Sequence, residues 1–165
     1  MSKIIHIKNK NTLIIDDFKL NCCIGKNGFN FNKKEGDFST PKGLYILRKL
    51  YFRKDRVGTP KCKLKKKIIK KNMAWCDDPK DKKYNEEIIA HKNKSLRERL
   101  HRIDHKYDYL ISISYNEKKI PKKGSAIFIH LTNNYKPTAG CIALKKKDFE
   151  ILLKLIDKKN KIKIG

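Results

Sequence analysis

The sequence predicts a single, mainly β domain of the sandwich or barrel class, and two observations support this prediction. Short segments in which apolar and polar residues alternate recur along the chain and are separated by turn-forming residues. One segment near the C-terminus has firm helical spacing of its apolar residues. The chain of 165 residues contains no internal repeat and no linker-like stretch, so we expect one domain over 1–165.

Seven segments have the alternation and composition of strands. The first two are separated by the polar turn KNKN, and the third ends at a turn that begins near Gly25. The segment SAIFIHL is the most apolar, and we expect it to be central in a sheet. In chain order the predicted strands are 3–7, 12–15, 20–25, 43–52, 109–116, 125–131 and 161–165.

Two segments have helical spacing of apolar residues. The segment 147–157 predicts an amphipathic helix, and the segment 95–108 also has helical character. Their apolar faces consist of Phe149, Leu152, Leu153 and Ile156 in the first segment, and of Leu96, Leu100 and Ile103 in the second. Of the remaining chain, 61–71 is predicted to be an exposed basic connector, and 74–85 is rich in turn residues and predicted to be irregular.

The charge is strongly positive, at +25, with 42 basic and 17 acidic residues. All but six of the basic residues are lysines, and they are scattered over the whole chain. Specific reading of nucleic acid favours arginine, so a solvated lysine surface is our interpretation and binding of a polyanion is the alternative. No stretch approaches the roughly 18 apolar residues of a membrane span, which excludes a transmembrane helix.

Five cysteines leave at least one free thiol, and no CxxC pair indicates a zinc ribbon. No disulfide framework is evident, as is typical of a reducing compartment. The N-terminal residues alternate instead of forming the apolar core of a signal peptide, so no ordinary export signal is predicted.

The segment 124–144 carries the clearest chemistry. His130 ends an apolar strand, and Cys141 follows eleven residues later, directly after Gly140. A neighbouring imidazole can convert a thiol into a nucleophilic thiolate, and a glycine lets the backbone turn sharply beside it. Backbone N–H groups of such a turn can hold a developing oxyanion. The alternative is that Cys141 is a small buried apolar residue and that His130 only ends a strand.

Other candidate residues have simpler explanations. His101 and His105 are four residues apart, but no glutamate follows the first histidine and no third metal ligand is apparent. Asp77 and Asp78 precede Pro79 and predict a turn. We expect Asp104 and Asp108 to pair with nearby basic residues or to cap backbone groups, and Trp75 to lie in the core.

Several blocks in order resemble the L,D-transpeptidase (YkuD-like) catalytic domain family. They are CCIGKNGF, KKEGDFSTPKG, WCDDP with the following YN, LHRIDHKYDY, GSAIFIH and PTAGCIAL, and together they span about residues 22–145. The resemblance is closest to a bacterial branch with the ending GSAIF-H…PTAGC-AL. It implies a β-sandwich or barrel with a shallow catalytic groove and the C-terminal helix.

The resemblance also implies residue roles. Cys141 would be the nucleophile, His130 the base oriented by a backbone carbonyl, and Thr138 a hydroxyl that orders the site. Gly140 and Cys141 would supply oxyanion-hole amides, and neither a metal nor a cofactor is required.

Two positions depart from the common family pattern, since Ala139 stands where many members have His and Ala143 where many have Arg. The absent arginine is thought to hold substrate, so we expect Arg102 to supply that cation, with Arg48, Arg53 and Arg56 as weaker candidates. Asp77 and Asp78 would lie near the groove and contact substrate.

By resemblance, the chain is a cysteine acyltransferase of peptidoglycan stem peptides that releases a terminal D-Ala and transfers the acyl group to an amine. The alternatives are L,D-carboxypeptidase action, exchange of D-amino acids, and a non-catalytic basic module that binds acidic glycan or nucleic acid. We expect a monomer whose partner is a stem peptide or precursor fragment, without a specific nucleic acid. The family places it in the cell envelope or periplasm, whereas the lack of an export signal favours the cytoplasm.

Overall fold

The computed structural model describes residues 3–90 and 97–165. These residues form fourteen strands, a short helix and one longer helix. The strands are β1 Ile4–Asn9, β2 Thr12–Ile15, β3 Phe18–Asn21, β4 Phe29–Asn30, β5 Thr40–Pro41, β6 Gly43–Phe52, β7 Lys65–Ile68, β8 Met73–Cys76, β9 Glu87–Ile89, β10 Arg97–Arg99, β11 Tyr109–Ile113, β12 Phe128–Leu131, β13 Ile142–Leu144 and β14 Lys161–Ile164. The helices are α1 Lys54–Val57 and α2 Lys146–Leu155.

One large sheet curls into a nearly closed barrel. Its strand order is β13-β12-β11-β6-β14-β1-β2-β3, and β7 pairs with β6 outside this path. Beyond β3 the chain reaches Cys23, which exchanges two backbone hydrogen bonds of 2.9 Å with Ala143 of β13. The two ends of the strand order therefore meet, and the predicted mainly β sandwich or barrel is confirmed.

The predicted C-terminal helix is also confirmed. It begins at Lys146 and ends at Leu155, and its buried residues are Phe149, Leu152 and Leu153. Ile156 follows in an extended conformation and stays buried. This helix packs its apolar face into the main core of the barrel, as amphipathic spacing predicts.

Strand β12 separates two hydrophobic clusters. Ile129 and Leu131 belong to the large, mainly aliphatic core inside the barrel. Phe128 belongs to a smaller cluster that includes Tyr51, Tyr107 and Leu110. Because side chains alternate along a strand, His130 lies on the same face as Phe128 and therefore on the side of the aromatic cluster.

The helix predicted over 95–108 is wrong for the described residues. Arg97–Arg99 form strand β10, which pairs with β8, and Ile103 is 98 % exposed. The backbone carbonyls that a helix would use are bound by arginines instead, since Arg53 donates to Arg102 O and Arg56 to Ile103 O. Leu96 lies outside the described residues.

Two other segments contain more strand than predicted. The basic connector 61–71 is exposed at most positions, but Leu64 and Ile69 are buried, and Lys65–Ile68 form an edge strand beside β6. The irregular segment 74–85 begins with strand β8. No helix formed by the described residues has the length and hydropathy that crossing a bilayer requires.

Candidate active site

A cavity of about 460 Å³ contains six of the seven site residues predicted from the sequence. It opens on the face of β12 that carries His130 and is bordered by the turn that leads into β13. Asp78 is the one predicted residue that does not border it. The six are Asp77, Arg102, His130, Thr138, Gly140 and Cys141.

The turn before β13 fixes the position of Cys141. Thr138 Oγ1 accepts the Gly140 N–H at 3.1 Å and donates to the Cys141 carbonyl at 2.6 Å. Gly140 has φ of 148°, and a Cβ at this position would lie 2.7 Å from the Ser39 carbonyl oxygen. Only glycine therefore fits this turn. The parallel register then places Ala143 opposite His130.

The Cys141 thiol is held by two backbone groups. Its Sγ donates to the Ala126 carbonyl at 3.2 Å and accepts the Phe128 N–H at 3.4 Å. Ala126 has a positive φ of 54°, and its N–H is bound by Asn85 Oδ1 at 3.1 Å. Burial raises the pKa of the Cys141 thiol to about 12, so the resting side chain is a neutral thiol.

His130 is buried and oriented by its own strand. Its Nδ1 lies 2.7 Å from the Leu131 carbonyl oxygen. A carbonyl only accepts hydrogen bonds, so we assign the ring proton to Nδ1 and the free electron pair to Nε2. The Tyr107 ring contacts the imidazole edge to face, with ring centroids 5.2 Å apart. Burial lowers the pKa of His130 to about 4, so the imidazole is neutral at pH 7.

The backbone amides around Cys141 are not equivalent. The resemblance implies that the N–H groups of Gly140 and Cys141 both face an oxyanion. In the structure the Gly140 N–H is already bound to Thr138 Oγ1. The Cys141 N–H has no acceptor among residues 3–90 and 97–165, and so it is the amide available to a ligand.

Arg102 borders the cavity, but its guanidinium is engaged locally. It donates twice to the Asp104 carboxylate, at 2.9 and 2.6 Å, and once to Glu98 at 3.4 Å. It also lies 5.1 Å from the centre of the Tyr107 ring. Asp108 pairs with Arg56 at 3.0 Å, so both aspartates have the local arginine partners expected from the sequence.

The two adjacent aspartates are in different surroundings. Asp77 faces the cavity, and its buried Oδ1 has no hydrogen-bond partner within the described part of the chain. Burial raises the pKa of Asp77, with a further contribution from the negative charges of Glu98 and Glu35. Asp78 instead accepts the Lys80 N–H at 2.9 Å in a turn, as its position before Pro79 predicts.

His101 and His105 are the two histidines that the sequence analysis considered as metal ligands. His105 Nε2 contacts the Thr132 carbonyl at 2.8 Å. Over the residues that the structure describes, no three His, Cys, Asp or Glu side chains are arranged to hold a metal ion.

Sequence reasoning left one group unassigned and missed another. A backbone carbonyl was expected to orient His130, but a backbone acceptor has no sequence signature, and only the structure identifies it as that of Leu131. Lys33 lines the cavity with a side chain that is only 4 % exposed. It could not be recognised because 36 % of the residues are charged and lysines occur everywhere in the chain.

Comparison with solved structures identifies the same fold in proteins about twice as long. Bd1075 from Bdellovibrio bacteriovorus matches with a TM-score of 0.53 and 14 % identity, covering 99 % of this chain and 47 % of that one. The helical cell shape determining protein Pgp2 from Campylobacter jejuni matches with a TM-score of 0.53 and 19 % identity, covering 98 % of this chain and 46 % of Pgp2. Its K307A mutant gives a TM-score of 0.51 at the same identity.

A sequence search of curated proteins finds no match. The family model of the L,D-transpeptidase catalytic domain (YkuD) matches residues 3–164. This match covers almost the whole chain and includes the turn with Cys141 and the strand with His130. The chain therefore belongs to the L,D-transpeptidase catalytic domain family.

Proposed function

We propose that the protein is a cysteine acyltransferase that carries out L,D-transpeptidation on peptidoglycan stem peptides. The observation that carries the proposal is the arrangement of His130 and Cys141 on one cavity, with Nδ1 of the imidazole bound to the Leu131 carbonyl. This tautomer leaves the Nε2 electron pair free to accept a proton. A thiol with such a base nearby is the nucleophile that acyl transfer requires.

In the first step the Cys141 thiol turns from the Ala126 carbonyl towards Nε2 of His130 and gives up its proton. The thiolate attacks the carbonyl carbon of the bond between the diamino acid and the terminal D-Ala of a tetrapeptide stem. The carbonyl oxygen becomes an oxyanion, which the Cys141 N–H can bind. When the intermediate collapses, the C–N bond breaks, the imidazolium protonates the D-Ala amine, and a thioester remains on Cys141.

In the second step an amine of another stem peptide attacks the thioester carbonyl. His130 accepts the proton of the amine and returns it to the leaving thiolate, so the enzyme is regenerated and a cross-link forms. Water in place of the amine would give L,D-carboxypeptidase action, and a free D-amino acid would give exchange. All these reactions share the same acyl-enzyme, and none needs a metal or an organic cofactor.

The cavity is lined by both basic and acidic side chains, which supports a substrate that carries both negative and positive groups. Arg102 and Lys106 line the cavity, and so do the acidic residues Asp77, Glu98 and Glu35. Stem peptides carry carboxylates and amines, so we propose that Arg102 and Asp77 contact substrate. Asp78 is held in its turn and would act only through the position of Asp77.

We further propose that the protein works in the cell envelope, on cell-wall organisation and cell shape, as the described role of Pgp2 suggests. The lysine-rich surface would favour encounter with the anionic wall, and this attraction should weaken as salt rises past about 0.1 M. The non-catalytic alternative, a basic module for acidic glycan or nucleic acid, requires none of the ordering seen around Cys141.

The test is incubation of the purified protein with tetrapeptide muropeptides, followed by mass spectrometry. Cross-linking joins two stems with loss of one D-Ala, hydrolysis yields a tripeptide, and exchange replaces the D-Ala. A carbapenem is a second acyl donor, because family members accept it, and it should add covalently to the peptide that contains Cys141. Cys141→Ala is the matched control for both experiments.

Two outcomes would contradict the proposal. The first is unchanged muropeptides together with no carbapenem adduct on a folded protein. The second is an adduct on Cys22 or Cys23 in place of Cys141, which would move the nucleophile to another part of the barrel.

A further inference from the structure

Lys33 is a buried cation beside the proposed nucleophile. Its side chain is only 4 % exposed. Because lysine is almost never buried without a partner, its contacts need to be accounted for. The Nζ donates to Asp37 Oδ1 at 2.8 Å and to the Lys34 carbonyl at 3.4 Å. An ammonium carries three N–H donors, so one of them has no acceptor within residues 3–90 and 97–165.

Asp37 holds this ion pair in a fixed place. Its carboxylate also accepts the N–H of Lys34 at 2.8 Å, the N–H of Ser39 at 2.9 Å and the Ser39 hydroxyl at 2.7 Å. These hydrogen bonds, together with the one from Lys33, hold the pKa of Asp37 well below its usual range, so the partner stays ionised. The Lys33 side chain therefore cannot swing away without breaking its ion pair with Asp37.

The ammonium borders the turn that carries the nucleophile. A Cβ on Gly140 would lie only 3.3 Å from Lys33 Nζ, so the charge sits against the residue directly before Cys141. Lys33 and Cys141 also line the same cavity. Attraction between opposite charges is strongest at short distance and where water is excluded. The Lys33 ammonium is both close to this turn and buried.

The charged and titratable groups around the thiol oppose one another. Lys33 favours the thiolate of Cys141, whereas burial and the Glu98 carboxylate disfavour it. His130 is neutral at pH 7, and the buried phenol of Tyr107 stays protonated because its pKa is raised. Arg102 is bound to Asp104 and Glu98, and position 143 is an alanine. Lys33 is thus the cation best placed to balance negative charge at this turn.

We propose that Lys33 is an electrostatic positioning residue whose ammonium stabilises the Cys141 thiolate and the oxyanion formed from it. The second half of this statement rests on the proposed acyl transfer. The first half concerns the thiol alone and applies whatever the substrate is. In the family pattern the cation is an arginine two residues after the cysteine. In this chain the cation would be Lys33, which lies in the loop between β4 and β5.

The test measures alkylation of Cys141 by iodoacetamide as a function of pH, with the modified peptide quantified by mass spectrometry. Because burial raises the pKa of the thiol to about 12, the rate is measured between pH 7 and 9, on the rising limb of the profile well below its midpoint. Lys33→Met should shift this limb upwards by about one pH unit, which slows alkylation roughly tenfold at each pH. Lys33→Arg keeps the charge and should restore most of the rate. Quantifying the peptide separates Cys141 from the other four cysteines.

Lys136→Met is the matched control. Lys136 also lines the cavity, but it is exposed, so loss of its charge should leave the profile almost unchanged. An unchanged profile in Lys33→Met, or an equal shift in both methionine variants, would overturn the proposal. If Lys33→Met melts below the assay temperature, Lys33→Gln keeps a hydrogen bond to Asp37 without the charge and takes its place in the same comparison.

The outcome separates this proposal from the proposed function. If the wild type does not process muropeptides but Lys33→Met shifts the alkylation profile of Cys141, the acyl transfer is refuted and the electrostatic role of Lys33 is supported. If the wild type processes muropeptides and Lys33→Met leaves the alkylation profile unchanged, only the role of Lys33 is refuted.

Discussion

Cys23 pairs with β13 and Cys141 directly precedes this strand, and the two cysteines differ mainly in their neighbours. Both thiols have raised pKa values caused by burial. Cys23 contacts the Thr132 hydroxyl and the Lys136 carbonyl, each at 3.4 Å, and the cavity that it borders contains no histidine among its described residues. Cys141 shares its cavity with His130. Burial of a thiol alone therefore does not mark a nucleophile, and the oriented imidazole on the same cavity is what favours Cys141 in the proposed mechanism.

The largest expected difference is in activity. Cys141→Ser should lower kcat/KM on the order of a thousandfold or more, because a hydroxyl is far less acidic than a thiol of similar size. Cys23→Ser should keep activity within a few-fold of the wild type. Release of D-Ala from a tetrapeptide, followed by mass spectrometry, measures both. Comparable losses in the two variants of folded protein would remove the distinction between the cysteines.

The second difference concerns the base. The pKa of His130 is about 4 in the folded protein against about 6.5 in an unfolded chain, so the fold favours the neutral ring. Its contribution to stability is complete above pH 6.5 and is lost as the pH falls from there through 4. The full loss is about 3 kcal/mol, obtained from a shift of this size.

Urea unfolding of the wild type and His130→Asn between pH 4 and 7.5 measures this contribution. The difference in free energy of unfolding between the two proteins should narrow as the pH falls, and His130→Asn should be inactive throughout. Parallel pH dependences in the two proteins would mean that His130 is not buried as a neutral ring, and the base assignment would then lose its support.

The smallest expected difference is between the two threonines beside the cysteines. Thr138→Val removes two hydrogen bonds from the turn with Cys141, and Thr132→Val removes the bond to the Tyr135 N–H and the contact with Cys23. Each should cost about 1–3 kcal/mol of stability. Only Thr138→Val should also lower kcat, since it releases the Gly140 amide. Thermal melts and steady-state kinetics of both variants make this comparison, and equal kinetic losses would contradict it.

The strand pattern predicted much of the site, because alternation in SAIFIHL places Phe128 and His130 on one face. The spacing from His130 to Cys141, with Gly140 between them, also indicated the turn that the structure contains. The helix predicted over 95–108 failed because Arg53 and Arg56 bind the carbonyls of a segment that they meet only in the folded chain. The contact between Lys33 and Gly140 joins residues more than a hundred positions apart, and no local pattern predicts it.

The backbone bridge between Cys23 and Ala143 makes the position of Cys141 depend on the N-terminal strands of the barrel. Strand β13 is paired with β12 on one edge and with Cys23 on the other, so its amides can exchange with solvent only if one of these edges opens. Opening of the edge at Cys23 separates the N-terminal strands from the residues that follow Cys141. The Ala143 N–H is bound to the Cys23 carbonyl, so its hydrogen exchange should match global unfolding if the barrel opens as one unit and should be faster if β1 to β3 open first.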